Sequence, residues 1–196
     1  MSAAMVPPYQ PTNIHRQSPV LPDAMRRVAI LPMVFRANDS DSTAGAWTLE
    51  PVLNSELTKT KKFELVVISP EQLRQICGQS RYAVEDPLPR LFLQKLHDAT
   101  GCDAVLFRRL TEFRPYPPLA IGWSLKLVEL QTGKIWWAAD EVFDADQPGV
   151  VSGARRYQQQ MDFALSPADD STRILNSPLG FGHYAASTLL ATLPER

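Results

Sequence analysis

The sequence predicts a single α/β domain whose mixed β-sheet of about five strands is flanked by helices, with a further helix at the C-terminus. Apolar runs alternate with amphipathic helical segments in the first part of the chain, which is typical of parallel strands joined by right-handed crossovers. Two later apolar runs flank a tight hairpin signal, which adds antiparallel strands at one edge. The chain has 196 residues, 44% of them hydrophobic, so it can bury one sizeable core. The predicted order is β-α-β-α-α-β-β-β, followed by helices.

The first two strands are predicted from apolar runs at residues 27–35 and 63–68. Runs this continuous are typical of strands that are covered on both faces. A helix is predicted between them, near residues 44–60, because four residues form one apolar stripe at helical spacing: Leu49, Val52, Leu53 and Leu57.

The next helix is predicted from its end signals. Ser69 stands before Pro70, and Gln72 follows Ser69 by three residues, which is a capping-box pattern. Gly78 provides a stop signal at the other end, because glycine tolerates the left-handed conformation that closes many helices.

A third helix and a third strand follow. The helix is predicted to begin after a cap at Asp86, with Pro87 in its first turn, and to end at Gly101. The apolar run at residues 104–110 is predicted to be the next buried strand.

The second half of the chain predicts a meander. Residues 121–128 alternate with a period of two, residues 131–134 form the hairpin signal, and residues 135–143 return as a strand. A polar helical stretch is predicted near residues 152–161. The last helix is predicted to begin at a cap on Ser177.

Residues 1–25 are predicted to form a disordered, proline-rich tail, and residues 26–196 the folded domain. The apolar residues of the tail follow no period, and no basic region precedes an apolar one as in a signal peptide. Two alternatives remain: a cytoplasmic protein with a disordered arm, or an exported protein written without its signal. Such an arm is a semi-rigid spacer suited to a tether. Five prolines exclude a helix there: Pro7, Pro8, Pro11, Pro19 and Pro22.

Charge and hydropathy argue against nucleic-acid binding and against a transmembrane segment. The formal net charge is −1, so no overall field attracts nucleic acid. No apolar run approaches the length that spans a bilayer, so no transmembrane segment is expected.

Three patterns that carry chemistry in other proteins are interpreted as structural. Residues 180–185 fit G-x-G-x-x-A, but no strand precedes them, so a closely packed helix start is the interpretation. Four acidic residues lack the spacing of an EF-hand loop and predict a solvated strand end: Asp140, Glu141, Asp144 and Asp146. The three histidines form no metal or nucleophile pattern: His15, His97 and His183. We therefore expect no catalytic residue, cofactor or metal.

The two cysteines, Cys77 and Cys102, lack the spacing of a zinc site or a redox motif. One interpretation is a disulfide between them, which would close a loop of about 25 residues near one end of the sheet. The other, which we prefer, is a pair of free buried thiols, because Cys77 shares the apolar face of Leu73 and Ile76.

A proline-rich corner separates the third strand from the meander. Pro115, Pro117 and Pro118 exclude a helix or a central strand, so the simplest interpretation is a rigid turn that also blunts the neighbouring sheet edge. The alternative makes Tyr116, Pro117, Pro118 and Leu119 a docking surface for a protein partner.

These segments together resemble a group of Gram-negative envelope proteins that includes the N-terminal domain of TolB, the curli secretion lipoprotein CsgG and the peptidoglycan-synthase activator LpoB. The likeness covers about residues 27–143. Five segments carry it, namely a strand ending in proline, a second strand, a Ser-Pro-Glu helix start, a step into the third strand and a hairpin: residues 27–32, 63–67, 69–71, 101–105 and 132–138.

The resemblance implies a non-enzymatic periplasmic adaptor or regulator, tethered to the outer membrane by a lipid anchor, that binds or assembles with an envelope complex. The alternative is a cytoplasmic α/β protein with a small-molecule pocket, for example a hydrolase. Two features depart from the group. The linkers are too short for the hairpin insertions of a CsgG-type pore, and no cysteine near the N-terminus provides a lipobox.

Overall fold

The computed structural model describes residues 6–36, 38–83, 85–165 and 173–196; of residues 162–165 it describes the backbone alone. Its strands are β1 (Ile14–Arg16), β2 (Arg27–Ile30), β3 (Glu64–Val67), β4 (Ala104–Arg114), β5 (Ala120–Glu129) and β6 (Ile135–Asp144). Its α-helices are α1 (Ser40–Lys59), α2 (Pro70–Cys77), α3 (Phe92–Thr100), α4 (Pro148–Leu165) and α5 (Pro178–Leu190), with a 3-10 turn at Arg173–Asn176.

The six strands form one mixed sheet in the order β1-β6-β5-β4-β2-β3. Strand β2 is parallel to both β3 and β4, whereas β4, β5 and β6 are joined as an antiparallel meander. The predicted α/β class with a mixed sheet is therefore confirmed. The sixth strand, β1, was not predicted from the sequence.

Two crossovers place helices on opposite faces of the sheet. From β2 the chain passes through α1 to β3 on one side, and it returns through α2 and α3 to β4 on the other. Alternate residues of β2 and the residue after it show this directly. Val28 and Ile30 lie in the core shared with α1 and α5, whereas Ala29 and Leu31 lie in the core shared with α2 and α3.

The end signals of α2 work as predicted. The Ser69 hydroxyl accepts a hydrogen bond from the Gln72 backbone N–H at 3.1 Å, and the Gln72 side chain accepts one from the Ser69 N–H at 2.8 Å. Gly78 closes the helix with φ of 100°, where an L side chain would be strained. The capping box and the glycine stop are confirmed.

Two predicted helix starts are wrong. Helix α1 begins at Ser40 instead of near residue 44, because Asp39 caps it by accepting a hydrogen bond from the Asp41 N–H. Helix α3 begins at Phe92, well after Asp86, because Pro89 disfavours the helical conformation of the residue before it. Asp86 instead accepts a hydrogen bond from the Ala83 N–H.

The described part of the N-terminal arm, residues 6–25, packs on the domain, which corrects the prediction of a disordered tail; residues 1–5 lie outside the described residues. Strand β1 pairs antiparallel with β6. Leu21 and Met25 are 3% and 2% exposed in the core, and the Tyr9 ring packs edge-on against Phe143 with centroids 5.3 Å apart. The prolines exclude a helix there, but they permit this extended course.

A buried carboxylate anchors the arm to β6. Glu141, which is 7% exposed, accepts hydrogen bonds from the Tyr9 hydroxyl at 2.5 Å, from the Asn13 N–H at 2.6 Å and from the Thr12 N–H. Burial, together with the Glu141 carboxylate, raises the pKa of the Tyr9 phenol, so this phenol stays protonated and donating.

The end of the arm is joined to residues 195 and 196. The Leu21 N–H donates to the Glu195 carbonyl and the Glu195 N–H donates to the Pro19 carbonyl, both at 2.8 Å. The Arg196 guanidinium adds a hydrogen bond of 2.6 Å to the Met25 carbonyl. The arm is therefore held at its start by β6 and at its end by the last residues of the sequence.

Both cysteines are free thiols in this structure, and both lie in the core beneath α2 and α3. Burial raises the pKa of each thiol, so neither carries much reactive thiolate at neutral pH.

We expect two thiols per chain to react with a thiol reagent in denaturant without reductant, and neither to react rapidly in the folded protein. The physical reason is that both sulfurs are buried and protonated. The measurement is a spectrophotometric thiol count with and without denaturant. A monomer with no reactive thiols in denaturant would establish the disulfide between Cys77 and Cys102 instead.

Candidate functional site

The proline-rich corner spans residues 115–119, between β4 and β5, and the structure divides its predicted docking surface. Tyr116 is 72% exposed, and Pro117 and Pro118 are exposed beside it, joined by a cis peptide bond. Leu119 is 1% exposed and belongs to the core, so its assignment to the surface is corrected. The exposed part of the corner is thus residues 116–118, and the buried Leu119 side chain attaches it to the core.

One arginine fixes the corner to the end of the sheet. The Arg114 guanidinium donates to the Pro118 carbonyl at 2.5 Å and to the Asp144 carboxylate at 2.7 Å, with Asp146 a further ion-pair partner at 3.7 Å. The predicted solvated strand end is therefore wrong for Glu141, which is buried, whereas Asp140 is exposed and Asp144 and Asp146 form an ion-pair cluster that supports the corner. The Leu119 carbonyl accepts a hydrogen bond from the Ala145 N–H, which ties the corner to the segment after β6.

A second exposed aromatic residue, Trp47, lies at the same end of the sheet. Its side chain is 76% exposed in the second turn of α1. The start of α1 is seated on β4, because Gly45 leaves room for the Phe113 ring: a Cβ at position 45 would lie 2.5 Å from it. Phe113 precedes Tyr116 by three residues. Trp47 and Tyr116 therefore stand on two elements that are packed together.

Trp47 was missed by the sequence analysis. It falls off the apolar stripe of Leu49 and Leu53, and a tryptophan outside the buried stripe of a helix is the signal that would have identified it.

A buried arginine, Arg108, joins α1 to the sheet. The Arg108 side chain is fully buried; it donates to the Leu31 carbonyl at 2.7 Å, to the Asn54 side chain at 2.6 Å and to the Glu50 carboxylate at 2.5 Å. Burial lowers the pKa of Arg108 to about 10, while Glu50 opposes that shift. The guanidinium is still charged at neutral pH, and it joins β2, β4 and α1 in one network.

The residues interpreted as structural have structural partners. The imidazole of His183 lies 2.6 Å from the Glu56 carboxylate, and that of His97 lies 2.7 Å from the Cys102 carbonyl, while His15 lies in β1. A Cβ at Gly182 would come within 2.6 Å of Leu49, so the glycine pattern of α5 serves close packing on α1. Within the described ranges, no three His, Cys, Asp or Glu side chains form a group that could hold a metal ion.

None of the helices in the described part of the chain has the length and apolar character needed to cross a membrane.

No family model matches this sequence, and no curated protein matches it either. Among solved structures, the chain is similar to the PelC dodecamer from Paraburkholderia phytofirmans, at 11% identity and a TM-score of 0.49, over 93% of this chain and 98% of that one. It is also similar to lipoprotein GNA1162 from Neisseria meningitidis, at 17% identity and a TM-score of 0.44, over 72% and 99% of the two chains. A third is the LpoB C-terminal domain from Escherichia coli, at 19% identity and a TM-score of 0.37, over 60% and 82%.

Proposed function

We propose that this chain is a non-enzymatic adaptor or regulator of the cell envelope that binds a protein partner through Tyr116 and Trp47. The observation that carries the proposal is the exposure of these two large aromatic side chains at one end of the sheet, 72% and 76% respectively. Tyrosine and tryptophan are enriched among the residues that dominate binding energy at protein interfaces.

The supports of both side chains are rigid, which favours binding. Tyr116 lies in a corner fixed by Arg114, and Trp47 lies on a helix held by Arg108. A surface that is already ordered loses little conformational entropy on association, so more of the interaction energy appears as affinity.

The envelope location rests on the resemblance of residues 27–32 and 132–138 to the TolB, CsgG and LpoB group. Residues 27–32 contain β2 and the two residues after it, and residues 132–138 contain the turn into β6 and its first residues. In this proposal the protein works in the periplasm, and a lipid anchor ahead of the arm would tether it to the outer membrane. Since residues 6–25 lie along the domain, the anchor would hold the domain near the membrane instead of on a long free spacer.

We expect a photo-crosslinking amino acid at position 116 or 47 to give an adduct of defined mass in the envelope fraction of cells that express the full gene. A crosslinker at Leu179, which is 52% exposed on α5, is the matched control and should give no such adduct. With the crosslinker at 116, Trp47→Ser should lower the adduct yield by about tenfold, the effect of losing about 1.4 kcal/mol of binding energy.

If crosslinkers at positions 116 and 179 gave the same adduct, Tyr116 would not belong to a specific binding surface. Adducts confined to the cytosolic fraction would contradict the envelope location and support the cytoplasmic alternative.

A further inference from the structure

A crevice opens beyond the carboxyl end of β2, beside the second half of the parallel strand β4. It encloses about 330 Å³ and is lined by six residues: Val34, Phe35, Arg36, Arg109, Leu110 and Thr111. After β2 the chain turns into α1 on one face of the sheet, whereas after β4 it turns back through the corner into β5. In open α/β sheets, a point where neighbouring strands lead the chain apart at their carboxyl ends is where ligands bind.

The lining combines an apolar floor with two cations. Val34 and Leu110 are joined by a hydrogen bond of 2.8 Å, from the Leu110 N–H to the Val34 carbonyl, so the two walls are fixed relative to each other. The Arg81 guanidinium lies over the Phe35 ring, 5.0 Å from its centroid. Arg36 is exposed and Arg109 is partly exposed, so both guanidinium groups are accessible to a ligand.

The carboxylates nearby have partners of their own. Glu85 lies 3.5 Å from Arg109, but it makes its closer contact, 2.7 Å, with Lys126. Asp39 lies near Arg36 and caps α1, and it accepts hydrogen bonds from the Asp41 N–H and the Ser42 hydroxyl, which hold the pKa of Asp39 below its usual range.

The lining itself therefore contains two cations, Arg36 and Arg109, and no carboxylate. An oxyanion is the ligand group that this balance favours.

A β-bulge in β4 lies at the wall of the crevice. Between Leu110 and Glu112 the pairing of β4 with β5 shifts, so Thr111 is the extra residue of the bulge. Its hydroxyl is buried and has no hydrogen-bond partner among the described residues. Bulges are over-represented beside binding and active sites, where they redirect a side chain.

We propose that this crevice binds a small ligand that carries a phosphate or carboxylate group on an apolar body. The oxyanion lies between Arg36 and Arg109, and the apolar body lies on Val34 and Phe35. The volume suits a ligand of this size, since small-molecule pockets begin at about 300 Å³. The proposal is independent of partner binding by Tyr116 and Trp47, and it would hold for an adaptor or for a small-molecule-binding protein.

The test is a titration of ¹⁵N-labelled protein, followed by backbone amide shifts, with phenyl phosphate and phenylacetate as probes. We expect saturable shifts at Val34 and Leu110 with at least one of the two, and the tighter binder identifies the oxyanion. Inorganic phosphate and benzyl alcohol, which each carry half of the ligand, should bind at least about tenfold more weakly. Arg36→Gln and Arg109→Gln should each weaken binding by about tenfold, because each removes a charge-assisted contact.

Arg90→Gln is the matched control, because Arg90 is exposed in the segment before α3 and does not line the crevice. Arg36 is also exposed, so its variant is expected to fold, which its thermal unfolding curve would verify. The proposal would be overturned by an absence of saturable shifts with both probes, by equal binding of benzyl alcohol, or by equal weakening in Arg90→Gln.

Discussion

A Glu50→Ala variant is expected to lose about 3 kcal/mol of its free energy of unfolding, because it leaves the buried Arg108 guanidinium without a counter-ion. Breaking a buried pair from one side costs about 3–5 kcal/mol, and the lower end applies here because Glu50 is 36% exposed. Asn54 and the Leu31 carbonyl still accept from Arg108, but neither carries a charge. The measurement is equilibrium unfolding in urea.

The matched control is Glu64→Ala, which breaks the exposed ion pair between Glu64 and Arg27. Those side chains are 65% and 41% exposed, so the pair is screened by solvent and its loss should cost less than about 1 kcal/mol. Equal losses in the two variants would show that Arg108 does not depend on Glu50 for its charge balance.

A Glu141→Ala variant is expected to release the arm and to lose about 2–4 kcal/mol of stability. Three donors lose their acceptor together: the Tyr9 hydroxyl and the N–H groups of Thr12 and Asn13. Detachment of the arm limits the cost, because released donors can bond to water. Hydrogen exchange should therefore show the amides of Thr12, Asn13 and Gln17 losing protection while the amides between β4 and β5 keep theirs.

Asp140→Ala is the control for this variant, since Asp140 precedes Glu141 on the same strand but is exposed. It should leave the protection of the arm unchanged. Continued protection of the Thr12 and Asn13 amides in Glu141→Ala would show that strand pairing by β1 alone holds the arm.

The parts of the fold that sequence could predict are those whose signals are local. The cap at Ser69 and the stop at Gly78 depend on residues within one helix turn or so, and both were correct. The N-terminal arm was wrongly predicted to be disordered, because the residues that hold it in place are distant in the sequence. β1 is a three-residue strand with no period, and its anchor, Glu141, is more than 120 residues away in the sequence. A proline-rich composition does not encode such a partner.

The candidate binding residues, Tyr116 and Trp47, were also predictable only in part. Three prolines in five residues identified the corner, but composition does not say which side of a turn faces the core, so Leu119 was misplaced. The helix that carries Trp47 is placed against the strand before the corner by the packing of Gly45 on Phe113, a contact across 68 positions of the chain. Tertiary packing of this kind leaves no periodic trace in the sequence.

The bonds between residues 19–25 and residues 195–196 join segments that are distant in the chain, which constrains the order in which the fold can assemble. The arm precedes its partners on β6 and beyond by more than 100 residues in the chain, so it has no binding site until those segments have formed. The meander can pair as soon as β6 has emerged, and until the arm docks, the outer edge of β6 remains open to pairing with other chains. We therefore expect the arm to dock after the meander has paired, and the open edge of β6 to be most exposed to other chains in the interval before docking.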